Sequence, residues 1–176
     1  MKGWIKWVTA TLALSAVTHL GVVVAIPRVL MLVVKHKAGG GLNRIHHGEP
    51  VTAASREVVR PSPDLLYSLC PYDLSRGPLR ITASVPDTYF SISAFAANTD
   101  NFFVVNDTQV KGKKIDLVLV ARGSGYKPTA AERVVTSPTK AGLVLFRTLI
   151  RDGRQLAGLR QIQRRADCRP LGEHRR

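Results

Sequence analysis

The chain has 176 residues, 45% of them hydrophobic, and a net charge of +14. This excludes a disordered polypeptide, because several apolar runs are long enough for a core, and it leaves room for one domain plus an appendage. The charge divides as +6 over residues 1–44, +1 over 45–139 and +7 over 140–176. Basic ends around a near-neutral middle suit anionic headgroups beside a membrane. They suit nucleic acid less well, since such a domain carries its cations on the folded face.

Residues 1–34 read as a membrane anchor with a short tip before the span. Val8 to Ile26 runs nineteen positions without a formal charge. As a helix that stretch is about 28 Å long, close to the hydrocarbon thickness. Trp4 and Trp7, with Lys2 and Lys6, mark one interface, where indole rings favour the headgroup level. Arg28 marks the other interface by snorkelling. Pro27 has no N–H, so a kink or a helix end is expected there. The competing readings are a cleaved signal peptide, whose apolar region is ordinarily only about 7–15 residues long, and a buried helix of a soluble protein. His19 lies within the span and reads as a tolerated neutral imidazole. Lys and Arg counts on the two sides mildly favour a cytoplasmic C-terminus.

Residues 35–57 read as a linker, with Gly39–Gly41, His46–His47 and Pro50. His36, His46, His47 and Glu49 read as a solvated, protonatable loop, because adjacent histidines do not easily face one metal. Residues 58–150 form the β-rich region. Short apolar runs alternate at Leu65–Cys70, Leu79–Val85, Tyr89–Ala96, Phe102–Val105, Ile115–Val120, Val134–Val135 and Leu143–Ile150. Pro71, Asp73–Pro78, Pro86–Asp87, Asn98–Asn101, Asn106–Gly112 and Gly123–Thr129 separate them. Period-two patterns at this spacing predict an antiparallel sandwich or barrel. Beyond it, Leu156, Leu159, Ile162 and Ala166 recur at helical steps with arginines between. They predict an amphipathic helix over Asp152–Ala166, capped by Asp152, within a C-terminal segment 151–168. Residues 169–176 read as a basic tail.

Cys70 and Cys168 would close a long loop in an oxidising compartment; otherwise they are two free thiols. No catalytic residue, metal site or cofactor motif is found. Ser124 between Gly123 and Gly125 lacks nucleophile-elbow spacing, and no phosphate-cradling glycine motif occurs. The turn Lys111–Lys114 reads as a solvated hairpin tip. Asn98, Asp100, Asn101, Asn106 and Asp107 favour turns. Their functional reading is a polar rim around a pocket mouth, with Tyr67, Tyr89 and Phe103 nearby.

Four segments carry a resemblance: Arg60-Pro-Ser-Pro-Asp-Leu-Leu-Tyr67, Tyr72-Asp-Leu-Ser-Arg-Gly-Pro78, Val85-Pro-Asp-Thr-Tyr-Phe-Ser-Ile-Ser-Ala-Phe95 and Asn98-Thr-Asp-Asn-Phe-Phe103. In order and spacing, Val58–Arg122 resembles the family known as domain of unknown function 1254, in its short, membrane-anchored form. The resemblance implies a β-rich, jelly-roll-like fold, an envelope location and a candidate partner, a separately encoded protein of the 1214 family. It implies no catalytic residues.

The expectation is therefore a mainly β protein, an antiparallel sandwich or jelly-roll-like domain with an N-terminal transmembrane helix and a C-terminal amphipathic helix. It crosses a bacterial inner membrane once through residues 4–34 and holds its soluble domain in the periplasm. A non-enzymatic β-domain that binds a partner or ligand is the leading functional reading. The alternatives are an enzyme or accessory subunit using the Asn/Asp-rich loops, and a binder of anionic lipid or nucleic acid through the arginine-rich C-terminus.

Overall fold

The computed structural model describes residues 3–37, 41–52, 54–55, 60–110 and 112–172. The sequence readings at Lys2, Gly39–Gly40, Val58, Lys111 and the last four positions of the basic tail lie outside these residues.

One long helix, α1 (Gly3–Lys37), precedes the β-region. Leu, Ala and Val fill it, and its length and mean hydropathy are those of a helix able to cross a membrane. It does not end at Pro27, so of the two outcomes expected there, a kink or a helix end, the end does not occur. Proline removes the N–H that would reach the Val23 carbonyl. The neighbouring Val24 carbonyl takes a 2.7 Å hydrogen bond from the Arg28 guanidinium, which turns back along the helix. Nearly all of α1 is exposed; Met31 alone is buried among its described residues, where the last turns approach the β-region.

Nine strands follow among the described residues: β1 (His46–His47), β2 (Leu65–Asp73), β3 (Leu79–Ser84), β4 (Phe90–Ala96), β5 (Asn101–Asn106), β6 (Lys114–Ala121), β7 (Val134–Ser137), β8 (Ala141–Leu149) and β9 (Asp167–Pro170). They form a five-stranded sheet, β1-β2-β8-β4-β5, and a four-stranded sheet, β7-β6-β3-β9. All pairings are antiparallel except β6 with β7. One apolar core takes side chains from both sheets, including Cys70, Ile92 and Val144 from one and Ile81, Leu117 and Leu119 from the other. Alternate positions share a face because the strand period is two. Thus Leu79, Ile81 and Ala83 enter the core while Arg80 stays outside.

Pro71 does not end β2; it is paired with Leu143 inside the strand. Its carbonyl accepts from Asn43 N–H at 2.8 Å, so its nitrogen faces that same side, beyond the short β1, where no ladder donor is needed. Gly142 lies in β8 opposite Tyr72. A Cβ there would sit 2.1 Å from the Phe95 carbonyl oxygen and 2.4 Å from the Tyr72 hydroxyl. Only hydrogen fits, and Tyr72 uses the space to donate to Phe95 O at 3.1 Å and to meet Ser137 Oγ at 2.8 Å. Burial pushes the Tyr72 phenol above its ordinary value, partly offset by hydrogen bonds to Ser137 and Thr139.

Three boundaries differ from the sequence reading. His46 and His47 are not plain linker but pair with Leu69 and Ser68. The C-terminal segment starts with a 3-10 turn, Gly153–Gln155, then α2 (Leu156–Gln163), and stops short of Ala166. Asp152 does cap it, accepting from Arg154 N–H at 2.9 Å. Residues 167–170, read as helix end and tail, are β9 on the edge of β3. Cys168 stands opposite Ile81 there and forms a disulfide with Cys70, joining the two sheets across the core.

Candidate functional site

The Asn/Asp-rich loops are not brought together. Asn98 and Asp100 turn the chain between β4 and β5, while Asn106 and Asp107 lie at the other end of β5, about 17 Å away for a six-residue strand. Each group satisfies itself. Asn98 Nδ2 donates to Asp100 Oδ2 at 2.6 Å, Thr108 Oγ1 donates to Asn106 Oδ1 at 2.7 Å, and Asp107 Oδ1 accepts from Phe90 N–H at 3.2 Å. The Asn101 amide, oriented to donate, reaches the Phe103 carbonyl at 2.9 Å. These are turn-forming contacts. Tyr67 and Asn106 do share one row across the outer face of the five-stranded sheet, but Arg147 and Ser91 stand between them. The Tyr67 hydroxyl accepts from Ser62 N–H at 3.0 Å, and Tyr89 is 38% exposed just before Phe90, whose N–H reaches Asp107.

A serine–histidine contact also forms. His47 Nδ1 lies 3.0 Å from Ser68 Oγ, and Gln163 Nε2 of α2 reaches the same hydroxyl at 3.1 Å. Ser68 is 1% exposed, and the void beside it is only about 10 Å³. A nucleophile must reach a substrate carbon directly, and that space admits one water. The network instead ties β1 and α2 to β2.

The concave surface lies at the other end of the domain, and its walls follow from local chemistry. Asn43 adopts φ 62°, a left-handed conformation that asparagine tolerates. Its side-chain amide pairs with the backbone of Asp73: Nδ2 donates to Asp73 O at 2.9 Å and Oδ1 accepts from Asp73 N–H at 2.7 Å. This fixes Leu42 and Arg44 beside the end of β2. Gly77 at φ 134° lets the 74–78 turn return into β3, and Gly123 and Gly125 at φ 75° and 66° shape the loop after β6. Leu74 N–H bonds Lys140 O at 2.7 Å, closing the floor.

The result is an open cleft of about 350 Å³ bounded by Ser75, Pro78, Arg122, Ser124, Tyr126 and Lys140. A second hollow of about 200 Å³, lined by Arg44, Arg76 and Pro170, adjoins it at Gly77. The acids at its border are already engaged. The Ser75 N–H holds the Asp73 carboxyl below the usual range, with Lys35 and Arg76 adding to the effect. Glu132 is lowered chiefly by the Thr129 N–H and also accepts from the Tyr126 hydroxyl at 2.9 Å. Among the described residues, the side chains of Arg44, Arg76, Arg122 and Lys140 make no hydrogen bond or salt bridge. Elsewhere Arg80 pairs with Asp116, Lys113 with Asp87 and Arg160 with Glu49. Sequence reading missed the cleft because its cations come from four separate loops with no motif spacing. No three His, Cys, Asp or Glu side chains converge to hold a metal among the described residues.

Of the C-terminal arginines, Arg160 and Arg169 are paired with Glu49 and Asp167, while Arg164 and Arg165 are exposed.

The fold is similar to that of the VPA0106 protein from Vibrio parahaemolyticus, at TM-score 0.64 and 12% identity over 82% of this chain and 35% of that one. An uncharacterised protein from Burkholderia cenocepacia gives TM-score 0.46 and 18% identity over 73% of this chain and 36% of that one. The chain thus spans about a third of the length of these solved structures. No curated protein matches it. The model of the family described as protein of unknown function, DUF1254, matches residues 42–170, which include all nine strands described here, and the chain belongs to that family.

Proposed function

We propose that the chain is a membrane-anchored envelope protein whose sandwich-like, jelly-roll-type domain is a binding module in the periplasm of a bacterial cell. The carrying observation is α1. It is 35 residues long, and only 6% of its most apolar window is buried. Side chains that apolar would each gain about 1.5–3 kcal/mol from burial, and the domain offers them almost none. A bilayer supplies that burial, with Trp4 and Trp7 at one headgroup level. The Cys70–Cys168 bridge supports an oxidising compartment, and so the periplasmic side, over the mild charge bias towards the cytoplasm. The proposed partner is a separately encoded protein of the 1214 type.

An alkaline phosphatase fused after Arg176 tests the side of the membrane, because that enzyme matures only where disulfides form. Strong activity in intact cells, with a matched cytoplasmic reporter silent, is the expected result. The reverse pattern would place the domain in the cytoplasm and remove the periplasmic reading.

A further inference from the structure

We propose that the basic cleft between the 74–78 turn and the 121–126 loop binds a phosphate-bearing anion, a lipid headgroup or a soluble phosphate. Two hollows, about 350 and 200 Å³, meet at Gly77 and together carry Arg44, Arg76, Arg122 and Lys140. That volume accommodates a phosphate group with the organic residue that bears it. Three of the four cations are arginines, whose planar forks grip two oxygens of a phosphate at once.

Among the described residues, Arg151, Arg164 and Arg165 also have no salt bridge, but they lie on open surface, whereas here four such cations gather around two adjoining hollows, and that points to a ligand. Asp73 and Glu132, the acids beside the cleft, are held by Ser75 and by Thr129 and Tyr126. Both acids stay ionised and Arg76 acts on Asp73, so it is Arg44, Arg122 and Lys140 that leave the cleft with surplus positive charge. The walls are also fixed before any ligand arrives. Asn43 locks the Arg44 segment to β2, and Lys140 O locks the last turn to Leu74. Gly123 and Gly125 have open space where a Cβ would project, so the loop backbone can be approached closely. Ser124 contributes a hydroxyl on the same rim.

The cleft also neighbours the end of α1. Lys35 acts electrostatically on Asp73, which lies at the base of the 74–78 turn. A headgroup source is therefore within reach when α1 is in a bilayer. Only that source rests on the anchored reading; binding of a soluble phosphate does not.

The test uses the full chain reconstituted in phosphatidylcholine nanodiscs. One arm titrates inorganic phosphate by calorimetry. The other includes tracer spin-labelled phosphatidylglycerol and measures its immobilised fraction against spin-labelled phosphatidylcholine. The cleft variant is Arg76→Gln, Arg122→Gln, Lys140→Gln. The control, Arg151→Gln, Arg164→Gln, Arg165→Gln, removes the same charge from exposed positions at the opposite end. In at least one arm the native chain is expected to bind, with the cleft variant weakened about tenfold or more and the control within about twofold. Cleft-dependent phosphate binding alone identifies a soluble ligand, and cleft-dependent lipid immobilisation identifies a headgroup. Absence of binding in both arms, or equal loss in the control, overturns the proposal. Thermal unfolding of both variants near the native midpoint shows that any loss is local.

Discussion

In α1, Leu12, Leu14 and Val17 are 65–69% exposed, whereas Leu79, Leu119 and Val144 of the sheets are fully buried. The residue types are the same; what differs is the partner each finds. In the strands, apolar side chains alternate with polar ones, and two sheets close over them. In α1 they surround the helix, so no single protein face could cover them. One chain therefore holds two differently patterned structures, an exposed apolar helix and a closed β-domain, meeting near Met31; on the proposed reading they are built for different solvents. If that division is right, damage to the β-domain should leave membrane association intact.

The largest expected effect comes from Gly142→Val. The added carbons collide with the Phe95 carbonyl and the Tyr72 hydroxyl, both within the fixed centre of the domain. Cooperative unfolding should be lost in calorimetry, while the chain stays in the membrane fraction. Next is Cys168→Ser. The bridge joins residues 98 apart in sequence, and in the chain-entropy model its loss costs about 4–5 kcal/mol, read as a lower urea midpoint. Tyr72→Phe is smaller. It leaves the Phe95 carbonyl and Ser137 hydroxyl short of a partner, for about 1–2 kcal/mol in the same assay.

The smallest effect is with acid. Asp152 is lowered below the usual carboxylate range, first by the Arg154 side chain and then by its backbone N–H. A depressed folded value means the stabilisation is complete above the ordinary value of about 3.9 and fades as pH falls through the folded one. Stability measured from pH 5 downward should therefore decline less steeply in Asp152→Asn than in the native chain.

Much of the β-region was legible from periodicity, because Leu79–Ala83 alternates strictly and Phe90–Ala96 and Ile115–Leu119 keep every second position apolar. The short edge strands were not. His46–His47 has too few residues to show a period, and Asp167–Pro170 follows directly on a helical apolar pattern that runs to Ala166, although the helix itself gives way to a turn at Arg164–Arg165. Pro71 was read as a break after the first strand, because the cost of proline depends on where the missing N–H would have pointed. At Pro71 that direction faces an edge. The candidate site was the least legible part. Asn98–Asn101 and Asn106–Asp107 stand out in the sequence through their turn chemistry. Arg44, Arg76, Arg122 and Lys140 are unremarkable until the fold gathers their loops.

The most direct test of the two-part account is the intact mass of the chain retained in membranes after alkaline carbonate extraction. The account predicts that the chain stays in the pellet and that its mass includes Gly3–Lys37. A chain released to the supernatant, with a mass showing that α1 had been removed, would contradict it.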